Sequence, residues 1–199
     1  NFHRTYYHPS NSYIYLYGNM DMEEKLAFLD EHYLSHFDYL DVDSVIQEQK
    51  AFGACRDVTL EYPVAENEGE EDNTYLSYNM VVGNAADSQM AMAFEVLDYA
   101  LLSAPGAPLK QALLDVKAGK DVYGSYDDGI LQPYFTVIAK GSNPDRKEEF
   151  VSVIRQVLGD IVKNGIDRKA VEAGINYFEF RYREADFSSY PKGLMYSLD

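Results

Sequence analysis

Tryptophan is absent from this chain, and cysteine occurs once, as Cys55. A lone thiol cannot close an internal disulfide. A bridge-stapled scaffold is therefore excluded, and a reducing compartment is compatible with the chain. Apolar runs are short, and none approaches the about 18 residues that a membrane-spanning helix needs. No membrane partner is expected. Cations are scarce, with 17 Lys and Arg against 33 Asp and Glu, a net charge of −16. Phosphate backbones select the opposite sign, so nucleic acid is excluded as a partner. A basic peptide or basic partner suits the charge, although an acidic solvated surface accounts for it more simply. There is no initiator Met and no signal-peptide pattern at Asn1, which reads as a segment of something longer.

What is present is enough for a core. The 199 residues are 46% hydrophobic, and a chain of this size buries roughly 70% of its unfolded surface without staples. One domain over 1–199 is the expectation, with 186–199 as the start of a linker to a further domain. The 18 tyrosines cluster in alternating runs, where a ring with a polar tip fits a half-buried sheet.

The packing spine is expected in residues 87–117. Met90, Ala93, Phe94, Leu97, Ala100 and Leu101 share one helical face, while Glu95 and Asp98 fall elsewhere on the wheel. Asp87 caps the first turn. Ala104-Pro105-Gly106-Ala107-Pro108 breaks the helix, and Leu109, Leu113 and Val116 resume it. Upstream, Tyr13 to Tyr17 read as a strand ended by Gly18. Asp21 and Glu24 form a capping box for a helix running to about Phe37, with Met22, Leu26, Leu29, Tyr33 and Phe37 on its apolar face. Val58, Leu60 and Tyr62 alternate as one strand. Leu76, Tyr78, Met80 and Val82 alternate as a second, paired antiparallel to the first across an acidic loop at 66–73. Val122 to Tyr126, then Asp128-Gly129, then 130–139 predict a hairpin, with Pro133 implying an edge or bulge. Asn143-Pro144 caps a helix whose inner face is Phe150, Val153, Ile154, Val157, Leu158, Ile161 and Val162, stopped at Gly165. A last helix starts at Asp167, with Val171, Gly174, Ile175, Phe178 and Tyr182 inward, and 185–194 is irregular tail. The resulting class is α+β: a single mostly antiparallel β-sheet with helices packed on one face.

Chemistry is hard to find. His32 and His36 are four apart, yet Tyr33 stands where H-E-x-x-H needs Glu and no third ligand follows, so they read as surface histidines. The inverse motif H-x-x-E-H is missing from the chain. The segment 119–125 lacks the G-K-[ST] ending of a phosphate loop. No G-x-S-x-G elbow exists, Cys55 has no local base, Asp127-Asp128 reads as a turn, and the acidic loop lacks calcium-loop spacing.

A resemblance gives these pieces a context. His8-Pro9-Ser10-Asn11 entering a strand ended by Gly18, followed by the helix capped at Asp21, resembles the opening of the second domain of pitrilysin-type (insulinase-superfamily, M16) zinc metallopeptidases. The presequence-protease branch is the nearest in pattern. The small-residue elbow from Ser103 to Leu109, Val122-Tyr123-Gly124-Ser125-Tyr126 with its following strand, Lys140-Gly141 before a helix, and Asp186-Phe187 to Pro191-Lys192-Gly193-Leu194 are similar as well.

The resemblance implies a clamshell peptidase of four related α+β domains. Its zinc would be held by H-x-x-E-H and a later Glu in the first domain, which is missing from this chain. By that resemblance the chain carries no catalytic or metal residue and no cofactor, and is not an enzyme alone. It would wall the substrate chamber of a peptide-degrading endopeptidase and anchor the substrate N-terminus by strand addition. The positions matching that anchor are Ser103, Ala104, Pro105 and Gly106 with Val122, Tyr123 and Gly124. Expected partners are the other domains of the parent, peptide substrate and a second copy of the chain. The expected compartment is the bacterial cytoplasm or an organelle matrix. An autonomous inactive homologue that serves as a binding or assembly module is the alternative.

Overall fold

Alternation of apolar and polar side chains at 74–81, 121–127 and 134–142 puts one face of each segment against helices, and each segment forms a strand. The computed structural model describes residues 1–65, 69–184 and 189–198. The chain divides into two compact units, one of residues 1–47 with 184–199 and one of residues 48–183.

The larger unit contains the sheet. Strands β1 (Thr74–Val81), β2 (Asp121–Asp127) and β3 (Tyr134–Ser142) lie in the order β1-β3-β2, all antiparallel. The expected hairpin is therefore present, with Asp127 opposite Tyr134. It is closed by residues 128–133 rather than by a two-residue turn. Pro133 lies just before β3, fully buried, with its carbonyl accepting from Val82 N at 2.8 Å. Because β3 is the central strand, the expectation that Pro133 marks an edge is corrected. β2 and β1 are the edges among the described residues. The expected pairing of 58–62 with β1 is corrected too. Val58 and Leu60 stay exposed and unpaired, and Tyr62 reaches Asn73 O through its hydroxyl and Tyr75 through its ring.

Helix α3 (Ser88–Asp98) starts where Asp87 Oδ1 accepts from Met90 N at 3.0 Å. It passes into one π-helical turn, Tyr99–Ser103, closed by Ala104 N donating to Tyr99 O at 2.7 Å. The extra residue in that turn changes the helical phase. Leu102, outside the expected apolar face, is thereby buried, whereas Met90 stays exposed. Ala104 to Ala107 form a turn closed by Ala107 N donating to Ala104 O at 3.0 Å, with Pro105 second and Gly106 at φ +73° third. That is type II geometry, which needs a positive φ at its third residue. Helix α4 (Pro108–Asp115) follows with Pro108 at its first position. It ends in a Schellman cap, Ala118 N to Leu113 O and Lys117 N to Leu114 O, with Lys117 at φ +55°.

The core lies between one sheet face and these helices. Leu76, Val122, Phe135, Val137 and Ala139 meet Leu101, Leu102, Leu109 and Leu113, closed by Phe150 and Ile154 of α5 (Lys147–Asn164). Each Val, Leu, Ile or Phe side chain among them contributes about 1.5–3 kcal/mol by leaving water, and Ala139 less. The expected cap at Asn143 is replaced by a different use: its amide donates to Asp72 Oδ1 at 2.8 Å and its Oδ1 accepts from Asp72 N at 2.9 Å. Val162, expected inward, is exposed, while Gly165 stops α5 at φ +88° as expected. Helix α6 (Arg168–Glu184) crosses α3 at Gly174, where a Cβ would lie 3.2 Å from both Tyr99 Cδ1 and Val96 Cγ1. Tyr99 and Tyr177 stack at 5.0 Å, and Tyr182 Oη donates to Glu95 Oε2 at 3.0 Å.

The smaller unit is helical. It holds α1 (Phe2–Tyr6), α2 (Met22–His32) and α7 (Lys192–Leu198), none with a buried residue. Asp21 caps α2 as expected, accepting from Glu24 N at 3.1 Å, but the Glu24 carboxylate pairs with Lys25 instead of returning to the cap. The strand expected at 13–17 is absent: Tyr13, Ile14, Tyr15 and Tyr17 are exposed, and Tyr15 Oη donates to Gly193 O at 3.1 Å. Among the described residues of its unit there is no other strand, so the alternating segment has no ladder to join. Of the irregular tail expected at 185–194, only the part from Lys192 is corrected, since α7 begins there, and residues 185–188 lie outside the described residues. Residues 66–68 of the acidic loop and Asp186-Phe187 lie outside the described residues.

Candidate functional site

The seven positions singled out above fall on two elements that pack together. Ser103 is the exposed last residue of the π turn, and Ala104, Pro105 and Gly106 make the type II turn after it. Val122, Tyr123 and Gly124 are consecutive in β2. Val122 points into the core and is fully buried. It can offer a ligand only backbone groups. Tyr123 lies on the opposite face, 38% exposed.

Gly124 is where the two elements touch. A Cβ there would lie 2.2 Å from Leu102 Cδ1, 2.8 Å from the Thr136 carbonyl and 2.9 Å from Asp98 Oδ1. Only a residue without a side chain lets the π turn close this far onto the strand. β2 bonds to β3 on one side only, so half of its backbone donors and acceptors face away from the sheet. Beside it, residues 103–107 with Lys110 and Gln111 line a shallow groove of about 270 Å³. Ala107 is buried and Pro108 starts α4, so the residues that lengthen the elbow belong to the helix start.

Asp98 joins the two halves, and sequence reasoning missed it by placing it away from the apolar face. The Ser103 hydroxyl donates to its Oδ2 at 3.3 Å. Ser103 is five residues on, the spacing that a π turn and not an α-helix stacks. Asp98 Oδ1 is buried with no hydrogen-bond partner among the described residues. Desolvation holds the Asp98 carboxyl above its ordinary value of 3.8, opposed by the Ser103 hydrogen bond. The available signal was Gly124 itself, since a glycine inside a strand marks a close approach.

Metal chemistry finds no such convergence. α2 ends at His32 and His36 lies in a separate 3₁₀ turn, Leu34–His36, so the pair does not share one helical face. Among the described residues no three His, Cys, Asp or Glu side chains come together. The described residues do not fit a zinc centre. No helix among the described residues is long and apolar enough to cross a membrane.

The family model described as Peptidase M16 inactive domain matches residues 1–178. Protein HypA of Clostridium perfringens is 47% identical over 197 residues, covering 99% of this chain and 20% of that protein. Presequence protease 1, chloroplastic/mitochondrial, of Arabidopsis thaliana is 33% identical over 201 residues, covering 99% of this chain and 18% of that protein. The chain thus spans about a fifth of the length of the curated relatives it matches. Among solved structures, the inactive peptidase domain of a Bordetella parapertussis protein classed with the zinc proteases is similar in fold. Its TM-score is 0.53 at 13% identity, over 62% of this chain and 67% of that one.

Proposed function

Because the chain belongs to the M16 peptidase inactive-domain family, we propose that it is the non-catalytic second domain of a larger zinc-dependent endopeptidase that degrades peptides. The zinc and its water-activating residues reside in another domain of that parent, for this chain has no H-x-x-E-H. The domain walls the substrate chamber and holds an incoming peptide by its amino-terminal segment. The peptide adds as a further strand to the outer edge of β2 and turns at the elbow of Ser103, Ala104, Pro105 and Gly106. Backbone groups of Val122, Tyr123 and Gly124 supply the ladder, which makes capture tolerant of side-chain sequence.

The observation that supports this reading best is the one-sided pairing of β2 beside a groove at the elbow. The remaining domains of the parent are its partners. The relatives include a bacterial protein and presequence proteases of mitochondria and chloroplasts, which suits a bacterial cytoplasm or an organelle matrix.

Incubating the chain with zinc and a long unstructured peptide tests the non-catalytic role. No chelator-sensitive cleavage is expected, and sustained zinc-dependent turnover would overturn it. The reading frame around the gene tests the parent: an upstream domain carrying H-x-x-E-H is expected. Its absence would favour an autonomous assembly module.

A further inference from the structure

His8-Pro9-Ser10-Asn11 has no part in the peptide edge, and its side chains bind one another and a distant stretch of their own unit. Pro9–Asn11 form one 3₁₀ turn, and His8 caps it: the imidazole Nδ1 accepts from Ser10 N at 3.2 Å. The turn so fixed presents two acceptors to residues 37–44, which form neither helix nor strand. Ser10 Oγ accepts from Leu40 N at 3.1 Å, and Asn11 Oδ1 accepts from Ser44 Oγ at 2.6 Å. The His8 ring meets the Phe37 ring edge-on at 5.5 Å. Asn11 is anchored in turn by its amide, which donates to Tyr6 O at 2.9 Å. Among the described residues, 38–44 makes no other hydrogen bond or ion pair.

We infer that His8 is a proton-operated latch for that segment, closed while its imidazole is neutral and open once it is charged. Only a neutral imidazole can accept at Nδ1, with its proton on Nε2. A second proton sets an N–H at Nδ1 against the Ser10 N–H. The cap is then lost and two donors face each other. Imidazole is the one side chain whose ordinary protonation falls between about pH 5 and 8.

The charged and titratable groups on the segments that touch His8 are His3 and Arg4 of α1, His36 beside Phe37, and Asp38, Asp41 and Asp43 along the held segment. Among the described residues none of them bonds to the ring. The three carboxylates offer an imidazolium partners that the cap cannot, so the charged ring leaves the turn. Once the turn loosens, Ser10 Oγ and Asn11 Oδ1 no longer meet Leu40 and Ser44 together, and 37–44 comes away.

The test follows hydrogen exchange of the Leu40 amide by NMR in the 199-residue chain, divided by its intrinsic rate, at about pH 7.5 and about pH 5.5. Protection is expected to fall about fivefold at the lower pH, the worth of one hydrogen bond, while amides of β3 keep theirs. His8→Asn supplies a cap acceptor that does not titrate, and should hold the Leu40 amide equally at both values. Ser10→Ala, at an exposed position, removes the acceptor itself and should leave that amide at the lower protection at both. It decides the matter if the Asn variant misfolds, because a fall with pH that survives in Ser10→Ala does not come from this contact. Equal protection at the two pH values in the unaltered chain overturns the latch. So does a fall that persists in folded His8→Asn, or one that β3 shares.

Discussion

A buried carboxylate without a full set of donors is a cost built into α3, and its pH dependence has a definite sign. Desolvation raises the Asp98 pKa from 3.8, so the folded chain holds that proton to a higher pH than the unfolded chain does. Over that interval the folded state binds more protons, and stability falls as pH rises through it. Asp98→Asn cannot ionise. It should melt at a higher temperature than the unaltered chain at about pH 7, with the gain shrinking toward about pH 4, near the ordinary carboxylate range. A shift of equal size at both values would contradict this account. Gly124 answers a different question at the same spot. Gly124→Ala would place a Cβ 2.2 Å from Leu102 Cδ1 and 2.8 Å from a backbone carbonyl of the central strand, of which only the leucine can give way. A loss of about 1–3 kcal/mol is expected in urea denaturation.

Elements hold each other through close approaches of this kind. The π turn adds a residue to α3, which brings Leu102 onto β2 and Ser103 under Asp98. The type II turn then reverses the chain so that Leu109 and Leu113 of α4 enter the same core. α6 is attached differently, through Gly174 against Tyr99 and Val96, the Tyr99–Tyr177 stack and the Tyr182–Glu95 hydrogen bond. Burial and the neighbouring carboxylate push the Tyr182 phenol up to about 12, so it stays a neutral donor across the physiological range. Gly174→Val should lift α6 from α3 at a cost of about 1–3 kcal/mol. The measurable sign is faster proteolysis within residues 168–184. An unchanged cleavage rate would show that the crossing contributes little.

At the scale of the molecule two quantities oppose each other. In residues 1–47 the aromatic and aliphatic side chains of Phe2, Tyr13, Ile14, Phe28, Val45 and Ile46 are exposed. Exposed apolar side chains favour association in water where they adjoin one another. A net charge of −16 holds copies apart, and salt screens that repulsion within about 10 Å at 0.1 M. Sedimentation velocity of the chain should therefore show monomers at low ionic strength and larger species as salt is raised. A sedimentation coefficient independent of salt would show that this surface does not self-associate.

Residue order alone was enough for the α+β class, for the helix starts at Asp21, Asp87 and Asp167, for the stop at Gly165, and for the pairing of 121–127 with the strand after it. Each of these depends on neighbours within a few positions: a cap accepting a nearby N–H, a glycine taking a positive φ, an alternation of period two. Contacts distant in sequence decided the rest. Whether 13–17 and 58–62 become strands depends on pairing that no local pattern specifies, and among the described residues neither segment pairs, although β1 keeps an unpaired edge. The central position of β3, the π turn after Asp98 and the burial of Leu102 follow from how the sheet and helices close on each other. So does the meeting of Asp98, Ser103 and Gly124, because an approach across 20-odd residues of chain is set by packing density and not by periodicity.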